Sequence, residues 1–256
     1  MSAPRQSPLV ALWRLLRATA HVLRGLWIIR REFGRITPDQ CALRVREWSR
    51  QMLAIIGVTL VVRGTPPAHG PLLLVANHIS WLDILVMDAA HPARFVSKAD
   101  VKHWPMLGAL ITGAGTLYIE RASRRDAMRV VHHMAAALTA GDTLAVFPEG
   151  TTGDGRELLP FHANLIQAAI SAHAPVLPVA LQYLDGASGA VSDAPLFVGD
   201  TTLLESVWRS LRADGMQACV NFGEPQMAGG RDRRAWADDL QQTVAAMRAA
   251  GGASGR

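Results

Sequence analysis

From about residue 58 onward, short β-branched or leucine-rich runs alternate with helical stretches. The runs fall at 58–62, 71–76, 94–97, 116–119, 143–147, 176–182 and 217–222. Helical patterns lie between several of them, at 80–90, 123–140, 162–173 and 232–249. That alternation predicts an α/β fold, a mixed sheet flanked by helices. Residues 184–201 are rich in Gly, Ala, Ser and Asp and read as a loop, and residues 250–256 read as a disordered tail. No internal repeat is present. The chain thus divides into helices over 1–57, one α/β domain over 58–249, and the tail.

The N-terminal segment "LVALWRLLRATAHVLRGLWII" (9–29) carries Arg14, Arg17, His21 and Arg24. Charges at those positions make a simple membrane span costly. They step by three, four and three, so on a helix they form one stripe in a wide apolar arc. This predicts a basic amphipathic helix lying in the headgroup plane, the alternative being an N-terminal helix packed on its own domain. A second helix is expected over 38–56, opening at Thr37-Pro38-Asp39. Its apolar end is too short to cross a bilayer. Together the two form a hairpin that grips one leaflet, and the basic stripe favours the cytoplasmic face of an inner membrane.

The net charge of +5 is almost wholly due to arginine, since Lys98 and Lys102 are the only lysines among 26 basic residues. Such an excess attracts phosphates, anionic lipids or an acidic carrier protein. Nucleic acid is not expected, because no basic-aromatic module is recognisable. Cys41 and Cys219 have no metal-type spacing, so neither a disulfide framework nor a metal site is expected.

Three stretches carry chemistry. In "VANHISWLDI" (75–84) an apolar strand stops at Asn77-His78, and Asp83 follows five residues after the histidine. On one helix, positions five apart point about 140° away from each other. The pair therefore meets only if His78 precedes the helix and Asp83 sits in its first turn. Ser80 supplies that break, and Ser80-x-x-Asp83 resembles a capping box. This places His78 at the carboxyl end of a strand, where open α/β sheets build sites, and Asp83 reads either as a cap alone or as the acid that orients a base. In "VFPEGTTGDGRELLPF" (146–161), Pro148-Glu149-Gly150 turns the chain and a run of small polar residues follows. Exposed backbone N–H groups there suit an anion or a developing oxyanion. In "GTLYIER" (115–121), Glu120-Arg121 at a strand end reads as a surface charge pair or as a guanidinium able to fork onto a phosphate.

Taken in order, "NHISWLD", "GTLYIER", "FPEGT" and Pro178 in "VLPVA" resemble the motifs of the glycerolipid acyltransferases, over about residues 58–182. "FVSKADVKHWPMLG" (95–108) is similar to the family's segment between its first two motifs. The resemblance implies a mixed α/β domain with the motifs lining one cleft. It also implies His78 as general base, Asp83 as its orienter, and Arg121, Glu149, Gly150 and Thr151 as acceptor-binding residues. Asn77 and Lys98 are further substrate-binding candidates. The implied reaction moves an acyl group from an acyl-CoA or acyl-carrier-protein thioester to a lysolipid hydroxyl, with no cofactor. The acceptor expected first is 1-acylglycerol-3-phosphate. Where family members acting on lysophosphatidate usually have a basic residue after "FPEGT", this chain has Thr152, and it has His162 where they commonly have lysine. That variant resembles acyltransferases of lyso-ornithine lipid and other lysolipids.

No G-x-S-x-G elbow is present, so direct attack by the acceptor is expected rather than an acyl-enzyme. A metal hydrolase is disfavoured, because His132 and His133 diverge by about 100° on a helix and no H-E-x-x-H occurs. No P-loop supports a kinase or GTPase. A non-catalytic membrane lipid-binding protein is the rival from another class.

Overall fold

The computed structural model describes residues 5–103, 107–119 and 124–253. Two helices open the chain. Helix α1 spans Pro8–Glu32, and α2 spans Pro38–Ile56 behind a reciprocal Thr37–Gln40 capping box. Strand β1 (Val58–Arg63), strand β2 (Leu72–Ala76) and helix α3 (Leu82–Ala90) follow. Strand β3 (Arg94–Lys98), helix α4 (Leu107–Gly113), strand β4 (Leu117–Ile119) and helix α5 (Arg124–Thr139) come next. The chain continues through β5 (Thr143–Val146), α6 (Gln167–Ala172), β6 (Val176–Asp185), α7 (Leu203–Arg212), β7 (Met216–Phe222) and α8 (Arg233–Ala253).

The seven strands form one sheet in the order β1-β7-β6-β2-β5-β3-β4. All neighbours are parallel except β6 and β7, which run antiparallel, so the sheet is mixed. Strand β2 is central and buried on both faces, with Leu72 to Ala76 fully inaccessible, which is why it reads as an unbroken apolar run. Alternate residues feed two cores. Leu72 and Leu74 pack with α3 and α2, while Leu73 and Val75 pack with α5 and α8. The parallel strands β2 and β5 end together, Val75 opposite Val146, which brings Asn77-His78 beside Phe147-Pro148.

Two expectations need correction. The helix expected over 162–173 begins only at Gln167, because the preceding segment runs back along the loop after β5, with the His162 N–H on the Pro148 carbonyl at 2.9 Å. Residues 250–253, expected as tail, continue α8; the last three lie outside the described residues. The loop expected over 184–201 follows the end of β6 at Asp185 and is a strap pinned to its surroundings. Ser80 and Ser206 donate to the Pro195 carbonyl at 2.5 and 3.0 Å, and Arg209 donates to Leu196 O. Helix α7, just beyond it, was not foreseen, although Thr202 and Glu205 form a capping box.

The N-terminal hairpin packs in an unexpected sense. Arg14 donates to the carbonyls of Leu211 and Ala213 at the end of α7, at 2.8 and 3.0 Å. His21 is buried, stacks on Trp48 with centroids 4.9 Å apart, and bonds the Trp48 carbonyl. Burial holds the His21 ring below its ordinary pKa, so it packs neutral. Arg24 bonds Gln51. A side chain at Gly25 would strike the Trp48 indole, so glycine is needed where the two helices touch. Arg14 and His21 of the polar stripe are therefore turned inward, while Arg17 and Arg24 stay exposed. The surface side of α1 instead presents Leu9, Leu12, Trp13, Leu16, Leu23 and Trp27, all more than two-fifths exposed. No helix among the described residues is long and apolar enough to cross a membrane.

Helix α3 carries a second buried carboxyl beyond the site. Burial pushes the Asp88 pKa from 3.8 to about 8, and its one backbone donor, the Ala93 N–H at 3.3 Å, offsets only part of that. A carboxyl whose folded pKa is raised favours folding while protonated, so stability falls as pH rises from about 4 to about 8. Urea unfolding of the Asp88→Asn variant should match wild type near pH 4 and exceed it near pH 8. A difference that does not depend on pH would show that Asp88 is ionised in the fold.

Candidate active site

The site forms where β2 and β5 end. Beyond Ala76 the chain leaves the sheet, and Asn77 takes over part of the strand's role. Its amide oxygen accepts from Leu181 N at 2.7 Å and its amide nitrogen donates to Leu181 O at 3.1 Å. Asn77 is buried, so it fastens the strand end to β6 instead of meeting a substrate. This corrects its expected binding role.

His78 follows directly. Its Nδ1 lies 2.7 Å from Asp83 Oδ2, and its side chain is 20% exposed whereas that of Asp83 is fully buried. Oδ2 also accepts the N–H groups of Ile79 and Ser80 at 2.7 and 2.9 Å. An oxygen already accepting two amide protons needs a third donor, so Nδ1 carries hydrogen and Nε2 is left as the acceptor. The expected Ser80–Asp83 capping box is half present. Asp83 accepts from Ser80 N, but the Asp83 N–H bonds the Ser80 carbonyl, while the Ser80 hydroxyl accepts from Leu82 N and donates to the strap. The acid thus stays in the first turn of α3 and serves both the amides that precede the helix and the histidine. The imidazole stacks on Phe147, centroids 4.0 Å apart and 10° from parallel, with Phe95 behind it at 5.8 Å. The Phe147 ring and the Asp83 carboxylate fix its plane.

The loop after β5 clamps the same residue from its backbone. The buried Glu149 carboxylate accepts from His78 N at 2.7 Å through one oxygen and from Leu159 N at 3.0 Å through the other. Gly153 N donates back to His78 O at 2.8 Å. Glu149, expected at the acceptor, is instead a brace between two loops. Burial raises its pKa, opposed by those two amides and by the charges of His78 and Arg248. Arg248 reaches in from α8, buried, with its guanidinium donating to the Gly155 carbonyl.

Gly150 has φ +73, a conformation glycine adopts freely, and its N–H closes a turn onto the Phe147 carbonyl at 3.1 Å. Its own N–H is therefore engaged within the turn. The next amide, on exposed Thr151, has no partner among the described residues. Thr152 turns its hydroxyl to the Phe197 carbonyl of the strap. Lys98 ends β3. Arg121 lies outside the described residues.

A partly exposed imidazole with one acceptor nitrogen, backed by a buried acid and tied through its backbone to a loop that carries an unpartnered amide, is suited to general-base chemistry. The comparisons agree on the class. The acyltransferase family model matches residues 59–182. A 1-acyl-sn-glycerol-3-phosphate acyltransferase of Neisseria meningitidis is 36% identical over 212 residues, 82% of each chain. A lyso-ornithine lipid O-acyltransferase of Pseudomonas aeruginosa is 39% identical over 210 residues, 82% of this chain and 79% of that one. The crystal structure of the 1-acyl-sn-glycerophosphate acyltransferase PlsC from Thermotoga maritima superposes with TM-score 0.69 at 18% identity, covering 94% of this chain and 95% of that one. The chain belongs to the glycerolipid acyltransferase family and is an O-acyltransferase.

Sequence spacing did not find the contributions of Phe147, Tyr183 or Arg248. Phe147 stands inside the quoted motif but carries no polar signal, and the other two are distant in sequence from the residues they touch.

Glu149→Gln replaces one bridging oxygen with an amide donor that opposes a backbone N–H. Urea titration should show a loss of about 1–3 kcal/mol, accompanied by a fall in acyl transfer. Unchanged stability would mean that the carboxylate is not a brace.

Proposed function

We propose that the protein transfers a fatty acyl group from a CoA or acyl-carrier-protein thioester to the free hydroxyl of 1-acylglycerol-3-phosphate, in membrane phospholipid synthesis. The hydrogen-bonded His78–Asp83 pair at the open end of β2 is the observation that carries this reading. Nε2 takes the acceptor hydroxyl's proton as its oxygen attacks the thioester carbonyl carbon. Asp83 supports the imidazolium so formed. The Thr151 N–H stabilises the tetrahedral oxyanion. The carbon–sulfur bond then breaks and His78 returns the proton to the departing thiolate, leaving an ester and a thiol. Arg121 and Lys98 are assigned to the anionic groups of acceptor and donor by charge. His78→Ala should retain the fold by circular dichroism and lose turnover by at least about a thousandfold; retained turnover removes the base assignment.

A second acceptor, lyso-ornithine lipid, is favoured by one observation. The residue after Thr151, a cation in lysophosphatidate-directed members, is Thr152, and its hydroxyl is turned to the strap. Purified protein assayed with one thioester against lysophosphatidate and lyso-ornithine lipid decides between them. Preference for the latter would replace the first reading of the acceptor and leave the mechanism intact.

The hairpin's exposed Trp and Leu side chains are assigned to one leaflet of the cytoplasmic membrane, where the acceptor resides. Exposed Arg17, Arg30, Arg31 and Arg35 suit anionic headgroups. Because Arg14 and His21 fasten α1 to the domain, surface substitution tests this better than truncation. The triple variant Trp13→Ser, Leu16→Ser, Trp27→Ser should lose sedimentation with anionic vesicles while keeping its melting temperature. Undiminished sedimentation would place the membrane contact elsewhere.

A further inference from the structure

Strand β6 outlasts its neighbour. Its pairing with β2 ends at Ala76 opposite Val179, but β6 continues to Asp185, held by β7. The overhang stands over the first turn of α3. Leu181 in it grips Asn77, and two residues on, pointing to the same side of the strand, lies Tyr183. Its hydroxyl donates to Asp83 Oδ1 at 2.7 Å, and both residues are almost wholly buried.

The Asp83 carboxylate is thereby divided. Oδ2 takes His78, Ile79 N and Ser80 N, while Oδ1 takes the phenol and no other described group. A carboxylate rotates about one bond, so fixing Oδ1 fixes the direction of Oδ2 toward the imidazole. The phenol also draws charge from the carboxylate that the imidazolium would otherwise receive. It stays a donor, because burial, followed by the neighbouring charge of Asp83, raises its pKa well above the ordinary value. The charged and titratable groups around this cluster are few. Asp83 comes from α3, His78 from the end of β2, and Glu149, on the His78 amide, from the loop after β5. Tyr183 is the contribution of β6.

We propose that Tyr183 is a positioning residue of the transfer reaction, acting on His78 through Asp83 by anchoring the acid's second oxygen. The inference rests on the base assignment of His78 and adds a requirement for an O–H at this place on β6. A tyrosine that merely filled space would be replaced by phenylalanine without kinetic effect.

The experiment is a kinetic cycle of wild type, Tyr183→Phe, Asp83→Asn and the double variant, with His78→Ala assayed alongside. Tyr183→Phe should lower kcat about tenfold, the scale of one hydrogen bond to a charged group, with KM for thioester and lysolipid unchanged within about twofold. The double variant should be no slower than Asp83→Asn alone, since Tyr183 has no route to His78 once the acid is gone. The low-field proton resonance of His78 Nδ1–H should shift in Tyr183→Phe. An unchanged kcat, a double variant slowed by the full product of the two single effects, or an unmoved resonance each overturns the inference. If His78→Ala is inactive while Tyr183→Phe is fully active, only this inference falls; an active His78→Ala removes the base reading itself. Should Tyr183→Phe not fold, 3-fluorotyrosine can be incorporated in a Tyr118→Phe background, because the chain has only these two tyrosines. Fluorination makes the phenol a stronger donor at nearly the same volume. A kcat equal to that of the unlabelled Tyr118→Phe protein overturns the inference, and a changed kcat at constant KM supports it.

Discussion

The Glu149 carboxylate joins two amides that belong to separate loops, His78 N–H and Leu159 N–H, and it does so almost out of reach of water. A buried charge is tolerated only when its hydrogen-bonding capacity is met. Backbone amides from two segments meet that need, and the buried guanidinium of Arg248 offsets part of the remaining cost. The geometry of the cleft follows. His78 is pinned at its N–H by Glu149 and at its carbonyl by Gly153, so its side chain can project only along the line set by β2. The run of small residues from Thr151 to Gly155 is tied to the histidine backbone through Gly153.

Asp83 solves a different problem with the same economy of groups. A chain segment that enters a helix in the protein interior must satisfy its amides without water. The carboxylate accepts the N–H groups of Ile79 and Ser80 on the approach to α3, and with the remaining capacity of one oxygen it orients His78. Bracing that approach and orienting the imidazole are not rival descriptions of this residue. Its place in the first turn is what puts both tasks within reach of one side chain, and the fixed backbone is what makes the orientation rigid.

Much of this was legible in the sequence, and for physical reasons. Strand β2 is buried on both faces and therefore reads as an apolar block, and the His78–Asp83 spacing admits only one local geometry. The corrections share a cause. Asn77 and Glu149 are polar, lie within motifs and are expected to face ligand, yet each is bonded to backbone far away in sequence, Leu181 and His78 respectively. Spacing along the chain cannot register such partners. Tyr183 is separated from Asp83 by 100 residues, and nothing near it in sequence marks it. Helix α7 was a different kind of miss, because Thr202 and Glu205 gave a local signal that the polar composition of the preceding strap obscured.

The hairpin illustrates how one helical pattern admits two orientations. A stripe of Arg14, Arg17, His21 and Arg24 in an apolar cylinder says that two faces differ, not which face meets the domain. Carbonyls decide it. The end of α7 leaves Leu211 and Ala213 oxygens facing α1, and α2 offers the Trp48 carbonyl and the Gln51 amide, so the cationic and imidazole groups find better partners inside than in water. Helix α7 in turn holds the strap through Ser206 and Arg209, and the strap accepts Ser80 and Thr152 beside the catalytic loop. The apolar face of α1 is left outward because Arg14, His21 and Arg24 on its other side are engaged by α7 and α2. A helix built this way is attached to its own domain through hydrogen bonds, and an apolar phase can take up its outer face without competing with any of them.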